Sequence, residues 1–224
     1  MINIKLFDGT SDSRAGRAVA EAISELEKIV GTGKVICNPN PPCVDRDSYT
    51  CVTDSINEVY NDSRKQVNSD EFVLDFVEHY TDLVDHESIN LVLIEQDLYS
   101  NSTNFVLGSS RGFKIVEDGK KRKMIVQSTS RLLRDHNHTR NLFDDSTFLK
   151  QLILHELGHA FGAATEDRID TYESLGSHCI EPECVMHQYT NIEEGQEVAH
   201  KRENNDNLFC GLCIDDIKSY NSSN

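Results

Sequence analysis

The chain has no tryptophan, only four prolines, and no apolar run near the roughly 18 residues that a membrane-spanning helix requires. It also lacks internal repeats, low-complexity tracts and any Pro/Gly/Ser linker. Positive charge is scarce: 22 Lys and Arg face 38 Asp and Glu, for a net charge of −16. So acidic a surface repels phosphate backbones, which argues against a nucleic-acid partner and favours cationic substrates or plain solubility. The opening stretch, Met1 to Asp8, has no apolar segment long enough for a secretory signal. These absences predict a soluble, cytoplasmic, monomeric protein with no membrane contact.

What is present looks globular, with 38% hydrophobic and 27% charged residues in a chain of 224. That length suits one domain, or one domain split by a cleft, and can bury a core without disulfides. Residues 2–7 alternate apolar and polar and predict a strand. Val19, Ile23, Leu26, Ile29 and Val30 have helical spacing over 14–30, and Gly31 and Gly33 end that helix. Residues 37–46 hold three of the four prolines and predict a loop, followed by a short strand near 49–60. Asn68-Ser69-Asp70 caps a second helix, and 89–95 predicts a buried strand. A hairpin is expected from Phe105–Leu107 and Phe113–Val116 through the turn Glu117-Asp118-Gly119 to Met124–Ser128. A long helix should run from about 147 to 161, between Asp145-Ser146 and Gly162. This order predicts a mixed α/β fold: a mixed sheet packed by helices, then a smaller lobe with little regular structure.

The sharpest signal lies at the end of that last helix, in His155-Glu156-Leu157-Gly158-His159. Histidines at i and i+4 share one helical face, so both rings can reach one metal, and the intervening glutamate can contact a metal-bound water. With nine histidines in the chain, chance would produce this pattern only about 0.03 times. Zinc held by two histidines needs a third protein ligand and an open position for water. The helix motif with Gly162 resembles the metzincin pattern, in which a third histidine comes three residues after the glycine, but Thr165 stands there.

Seven cysteines are present, and close pairs in an intracellular chain read as metal ligands before disulfides. His178-Cys179, then Cys184-Val185-Met186, then Cys210-Gly211-Leu212-Cys213, taken with the helix motif, resemble the signature of the archaemetzincins. Tyr60 to Gln66, Asp97-Leu98-Tyr99, Asn104 to Gly108 and Ser130-Arg131-Leu132 are similar to stretches found before that family's zinc helix. The resemblance spans about residues 55–215. It departs from the family in two places. Fifteen residues, Ala163 to Ser177, stand where the family has two, and the spacer between Met186 and Cys210 is longer than usual.

The resemblance implies two zinc ions. The catalytic one would sit on His155, His159 and His178, with Met186 as the methionine packed beneath it. The structural one would sit on Cys179, Cys184, Cys210 and Cys213. Glu166, Asp167 and Asp170 compete with His178 for the third position, and two disulfides or free thiols compete with the second zinc. Lengthening a loop from two to fifteen residues costs only about 1.8 kcal/mol, so the insertion does not forbid His178. The implied fold is a twisted mixed sheet with an antiparallel edge strand and a zinc helix, forming one catalytic domain cut by a cleft between residues 1–162 and 163–224. The implied activity is hydrolysis of peptide or protein substrates, with Glu156 as general base and the 105–116 edge lying along the cleft. Whether cleavage is internal or N-terminal stays open. A latent zinc-binding module, its cleft plugged by 163–177, is the alternative.

Other residues carry weaker expectations. Tyr189 could stabilise an oxyanion, and His187 is not expected to be a ligand. Cys37, Cys43 and Cys51 read as reduced thiols, with a Cys37–Cys43 disulfide as the alternative. His136 and His138 read as surface residues, and Lys120 to Lys123 as a solvated hairpin edge. Residues 163–207 hold 11 acidic and three basic residues, which reads as an exposed solvated loop or as an attractant for basic peptides.

Overall fold

A computed structural model describes residues 1–39, 41, 47–114, 120–133, 146–165, 168–173, 176–189 and 191–223. Along the chain come β1 (Ile2–Gly9), α1 (Ser13–Val30), β2 (Val35–Pro39), α2 (Ser48–Val59), β3 (Tyr60–Asn61), β4 (Gln66–Asn68) and α3 (Ser69–His79). Next are β5 (Ser88–Ile94), β6 (Leu98–Ser100), β7 (Thr103–Val106), β8 (Gly108–Lys114), β9 (Lys121–Ser128) and α4 (Ser146–Ala160). The C-terminal part holds β10 (Thr171–Glu173), β11 (Ser177–Cys179), α5 (Ile192–Arg202) and α6 (Gly211–Ser223). Two compact units result, Met1–Gly16 with Val35–Asn141, and Arg17–Lys34 with Leu142–Asn224. The helix bearing the histidine motif therefore groups with the C-terminal segment.

The first unit is built on a five-stranded sheet in the order β2-β1-β5-β9-β8. β1 pairs in parallel with β2 and β5, β5 pairs in parallel with β9, and β8 returns antiparallel as an edge. The mixed sheet with an antiparallel edge strand is thus present. Every residue of β5 is buried, which explains its nearly uninterrupted apolar sequence. Phe7, Val92, Ile94, Met124 and Val126 of this sheet share a core with Cys51, Val52, Phe72, Phe76 and Val77 from α2 and α3. Phe7 and Phe76 meet edge to face at 5.2 Å.

A second sheet runs β3-β4-β6-β7. Here several of the scattered upstream stretches come together. Arg131 donates to both Asp97 oxygens at 2.8 and 2.6 Å, and Gln66 Nε2 reaches Asp97 at 3.1 Å. Arg64 lies 4.2 Å over the Tyr99 ring, and Arg131 lies 4.4 Å over Phe105.

Several expectations change. The segment near 49–60 is helix α2, not a strand. Asp47 caps it by accepting from the Thr50 N–H, and Cys51, Val52, Ser55 and Ile56 line its buried face. Tyr, Thr and Val suggested a strand by propensity, but burial at i and i+4 decided. The proline-bearing loop begins later than expected, because β2 runs through Pro39, which pairs with Leu6 on the outer edge where a missing N–H is tolerated. The first arm of the hairpin is β8, whereas Phe105 belongs to β7 of the other sheet. Its turn at 115–119 lies outside the described residues, as do Cys43, His136 and His138. The basic run is solvated only in part and is not at an edge: Lys120 and Lys121 are exposed, but β9 lies between β5 and β8, and Arg122 is buried with Nε donating to Val84 O at 2.8 Å.

The segment after Gly162 holds more regular structure than expected, with helices α5 and α6 and the β10–β11 hairpin. Helix α5 packs on α4, where Gln151 Nε2 donates to Ala199 O at 2.7 Å and Lys150 pairs with Glu203 at 2.6 Å. Gly195 allows the close approach there, because a Cβ would come within 2.9 Å of the Phe148 ring and push on it.

Candidate metal centres

Helix α4 ends in a Schellman motif. Gly162 has φ 74°, its N–H reaches His159 O at 3.0 Å, and the Ala163 N–H reaches Gly158 O at 2.9 Å. The glycine turns the chain just after His159. The inserted segment then runs back through the antiparallel pair β10–β11, in which Tyr172 faces His178 and Thr171 faces Cys179. Backbone hydrogen bonding therefore fixes where His178 stands, although fifteen residues separate it from Gly162.

Each of His155, His159 and His178 offers a ring nitrogen within 4.8 Å of the others'. His159 Nε2 lies 3.1 Å from His155 Nε2. His155 Nδ1 is 2.8 Å from Val185 O and His178 Nδ1 is 2.9 Å from Gly176 O. Donation from each Nδ1–H to its carbonyl leaves Nε2 as the lone-pair nitrogen, the orienting arrangement that metal-ligating histidines use. Tetrahedral zinc with nitrogen ligands needs donor separations of about 3.3 Å, so the cluster fits the ion. Burial, then His159 and His178, push the His155 pKa well below its usual value. Burial and His178 push His159 down to about 4. Both rings are thus held neutral, the state a metal requires.

The four cysteines form a second group. Cys179, Cys184, Cys210 and Cys213 place their sulfurs within 4.8 Å of one another, with Cys179 and Cys210 3.7 Å apart. Tetrahedral zinc with sulfur ligands needs about 3.8 Å. All four are free thiols, which sets aside the two-disulfide reading. The Cys213 thiol, then the Cys210 N–H among other donors, draw Cys184 down to about 6 against its burial. Burial pushes Cys179 up to about 12, and the Cys184 interaction raises Cys213. One thiolate thus suppresses its neighbours unless a cation balances them, and a dication fits that donor set.

Met186 is fully buried, and its Sδ occupies the place a side chain at Gly158 would take. Glu156 is also buried, at 8% exposure, beside His155 on α4. Asp170 is held by Arg168, whose Nε donates to Oδ1 at 2.7 Å. Glu166 and Asp167 lie outside the described residues. His187 Nδ1 is 2.9 Å from Cys179 O. The Tyr189 hydroxyl donates to Pro182 O and accepts from Arg202 at 3.0 Å, tying it to the turn before Cys184. Among the remaining cysteines, Cys37 is a free thiol but Cys51 is disulfide-bonded, contrary to the reading of three reduced thiols. Sequence reasoning missed three features of the site. Val185 O and Gly176 O are backbone groups with no side-chain signal. Arg168 had one, as one of only three basic residues in an acidic stretch.

Solved structures share this architecture. An archaemetzincin from Methanopyrus kandleri is similar at a TM-score of 0.63 and 19% identity, over 99% of this chain and 96% of that one. This chain has the archaemetzincin fold. An archaemetzincin from Archaeoglobus fulgidus, complexed with malonate, gives 0.55 at 19% identity over 96% and 99% of the two chains. A zinc-dependent peptidase from Methanocorpusculum labreanum gives 0.55 at 18% identity over 97% and 100%. No protein-family model and no curated protein matches the sequence. Among the described residues no helix is long and apolar enough to cross a membrane.

Proposed function

We propose that this protein is a zinc metallopeptidase of the archaemetzincin type, with a catalytic zinc on His155, His159 and His178 and a structural zinc on Cys179, Cys184, Cys210 and Cys213. The observation that carries the reading is the convergence of three imidazoles, from one helix and from a strand that follows a long insertion, beside the buried Glu156. The relatives in fold include a zinc-dependent peptidase. A zinc ion held there supplies an acidified water and a Lewis acid for the scissile carbonyl. The residues of the chain do the rest. Glu156 is the general base that takes the water's proton and later passes it to the leaving amine. Val185 O and Gly176 O fix two of the rings, so no reorganisation is needed at the moment of reaction.

The test compares the zinc-loaded protein with Glu156→Ala in a diverse peptide mixture, with products read by mass spectrometry. Cleavage by the parent alone is expected, and the fragment ends then distinguish internal from N-terminal cleavage. Cleavage by neither, with metal bound at the histidines, would favour a latent zinc-binding module.

A further inference from the structure

The inserted segment carries a group that the helix motif and the cysteine pattern do not account for. The Arg168 side chain is 13% exposed and divides its donors among three acceptors. Its Nε and Nη2 bind the Asp170 carboxylate, two residues away. Its Nη1 reaches Asp216 Oδ2 at 2.6 Å and Cys213 Sγ at 3.4 Å. Asp216 Oδ2 also accepts the Ala164 N–H at 3.0 Å, at the start of the insertion. Ala164 sits at φ 53°, a conformation a non-glycine residue adopts at a cost, so this turn is held rather than relaxed. At the other end the Ile180 N–H reaches Asp170 O at 3.3 Å, just after the strand bearing His178 and Cys179.

An ordinary surface ion pair does not explain this placement. Four thiolates around a dication leave a net charge of about −2, which a buried site must balance. A guanidinium donating to one sulfur supplies charge and hydrogen bond together, and it draws electron density from the thiolate. We propose that residues 168–173 of the insertion form a strap across the four-cysteine metal site, and that Arg168 is its fastening. By capping Cys213 and gripping Asp216 of α6, Arg168 keeps the metal in place and holds β11, and with it His178, in register. Arg168 is a positioning residue, since it touches neither substrate nor the histidine cluster.

This inference rests on reading the four cysteines as a metal site, and the experiment separates the two. Metal content of the parent holoprotein is measured first: two metals per chain are expected, and a parent without the second metal overturns both readings. The full chain is then prepared as Arg168→Leu and Arg168→Lys with zinc, and again with cobalt. The readouts are zinc release to excess chelator and the cobalt–thiolate charge-transfer band. Loss of a hydrogen bond to a charged sulfur should speed release from the cysteine site about tenfold or more in Arg168→Leu and shift the band. Arg168→Lys, which keeps the charge with a compact head, should restore part of both and serves if the leucine variant fails to fold. Release rates within about twofold of the parent, with an unmoved band, in the folded variants would overturn the proposal.

Discussion

Gly158 and Met186 occupy one space: a Cβ at position 158 would overlap the methionine sulfur and come within 3.0 Å of Phe209. Gly158, one of three residues between the two helical histidines, is therefore a contact surface as well as a spacer. Overpacking such a contact costs about 1–3 kcal/mol. Gly158→Ala is expected to lower the denaturant midpoint and to weaken metal binding at the histidines, because the added methyl pushes on the segment that presents Val185 O to His155. Pairing it with Met186→Val, which clears the space, should recover part of the loss. Parental stability in the single variant would show that the methionine yields freely.

On the two-zinc reading, removing one imidazole should separate the two sites. His178→Ala is expected to reduce the metal content from two ions to one and to abolish peptide cleavage. The four-cysteine site should remain, because Cys179 still lies on β11. Elemental analysis with cobalt spectra decides this. Retention of both metals with full activity would mean that another group is the third ligand.

The cysteine site should act on stability more than on chemistry. Binding of zinc by four thiolates contributes directly to folding free energy. Cys184→Ser, or a chelator strong enough to strip the site, should lower the melting temperature of the C-terminal unit by a clear step. An unchanged melting curve after verified removal of that metal would refute this role.

One ion pair within the first unit predicts a pH effect of its own. Lys5 Nζ lies 2.7 Å from Asp85 Oδ2, and Ser88 donates to Asp85 from both its N–H and its hydroxyl. Partial burial pushes the Asp85 pKa up, but the Lys5 and Ser88 bonds outweigh it and hold the pKa below its usual value. A depressed folded pKa gives stability that is present above the unfolded value, near 4, and is lost as pH falls through the folded value. Asp85→Asn should therefore be less stable than the parent at pH 7, with the gap closing as the pH drops below about 4. The pair is partly exposed, so the gap should be about 1 kcal/mol or less. A gap that does not vary with pH would refute the charge-based account.

Much of this was legible where one local force dominates. Periodicity and caps marked β1, α1, α3, β5 and α4, because burial and capping there agree with propensity. Spacing brought out His155 and His159 on one helical face, whereas His178 and the set of four cysteines came from the family resemblance. Helix α2 was not legible, because its β-branched and aromatic residues favour strands until tertiary burial selects one face. Nor was the buried state of Arg122, because a run of four basic residues looks the same whether its backbone lies at an edge or inside a sheet. The fastening of the insertion was hidden for another reason. Arg168, Asp216 and Cys213 stand more than forty residues apart in part, and their meeting depends on the fold of the insertion itself.

Strand β11 is short, and successive side chains on a strand point to opposite faces. His178 and Cys179 are successive, and they belong to different ligand clusters. The strand thus works as a partition wall with one fitting on each side. Sliding it by one position would turn both fittings to the wrong rooms, whereas lengthening the hairpin at its tip would disturb neither. Residues added between β10 and β11 are accordingly expected to leave both clusters intact, while Ser177, His178 and Cys179 must keep their count.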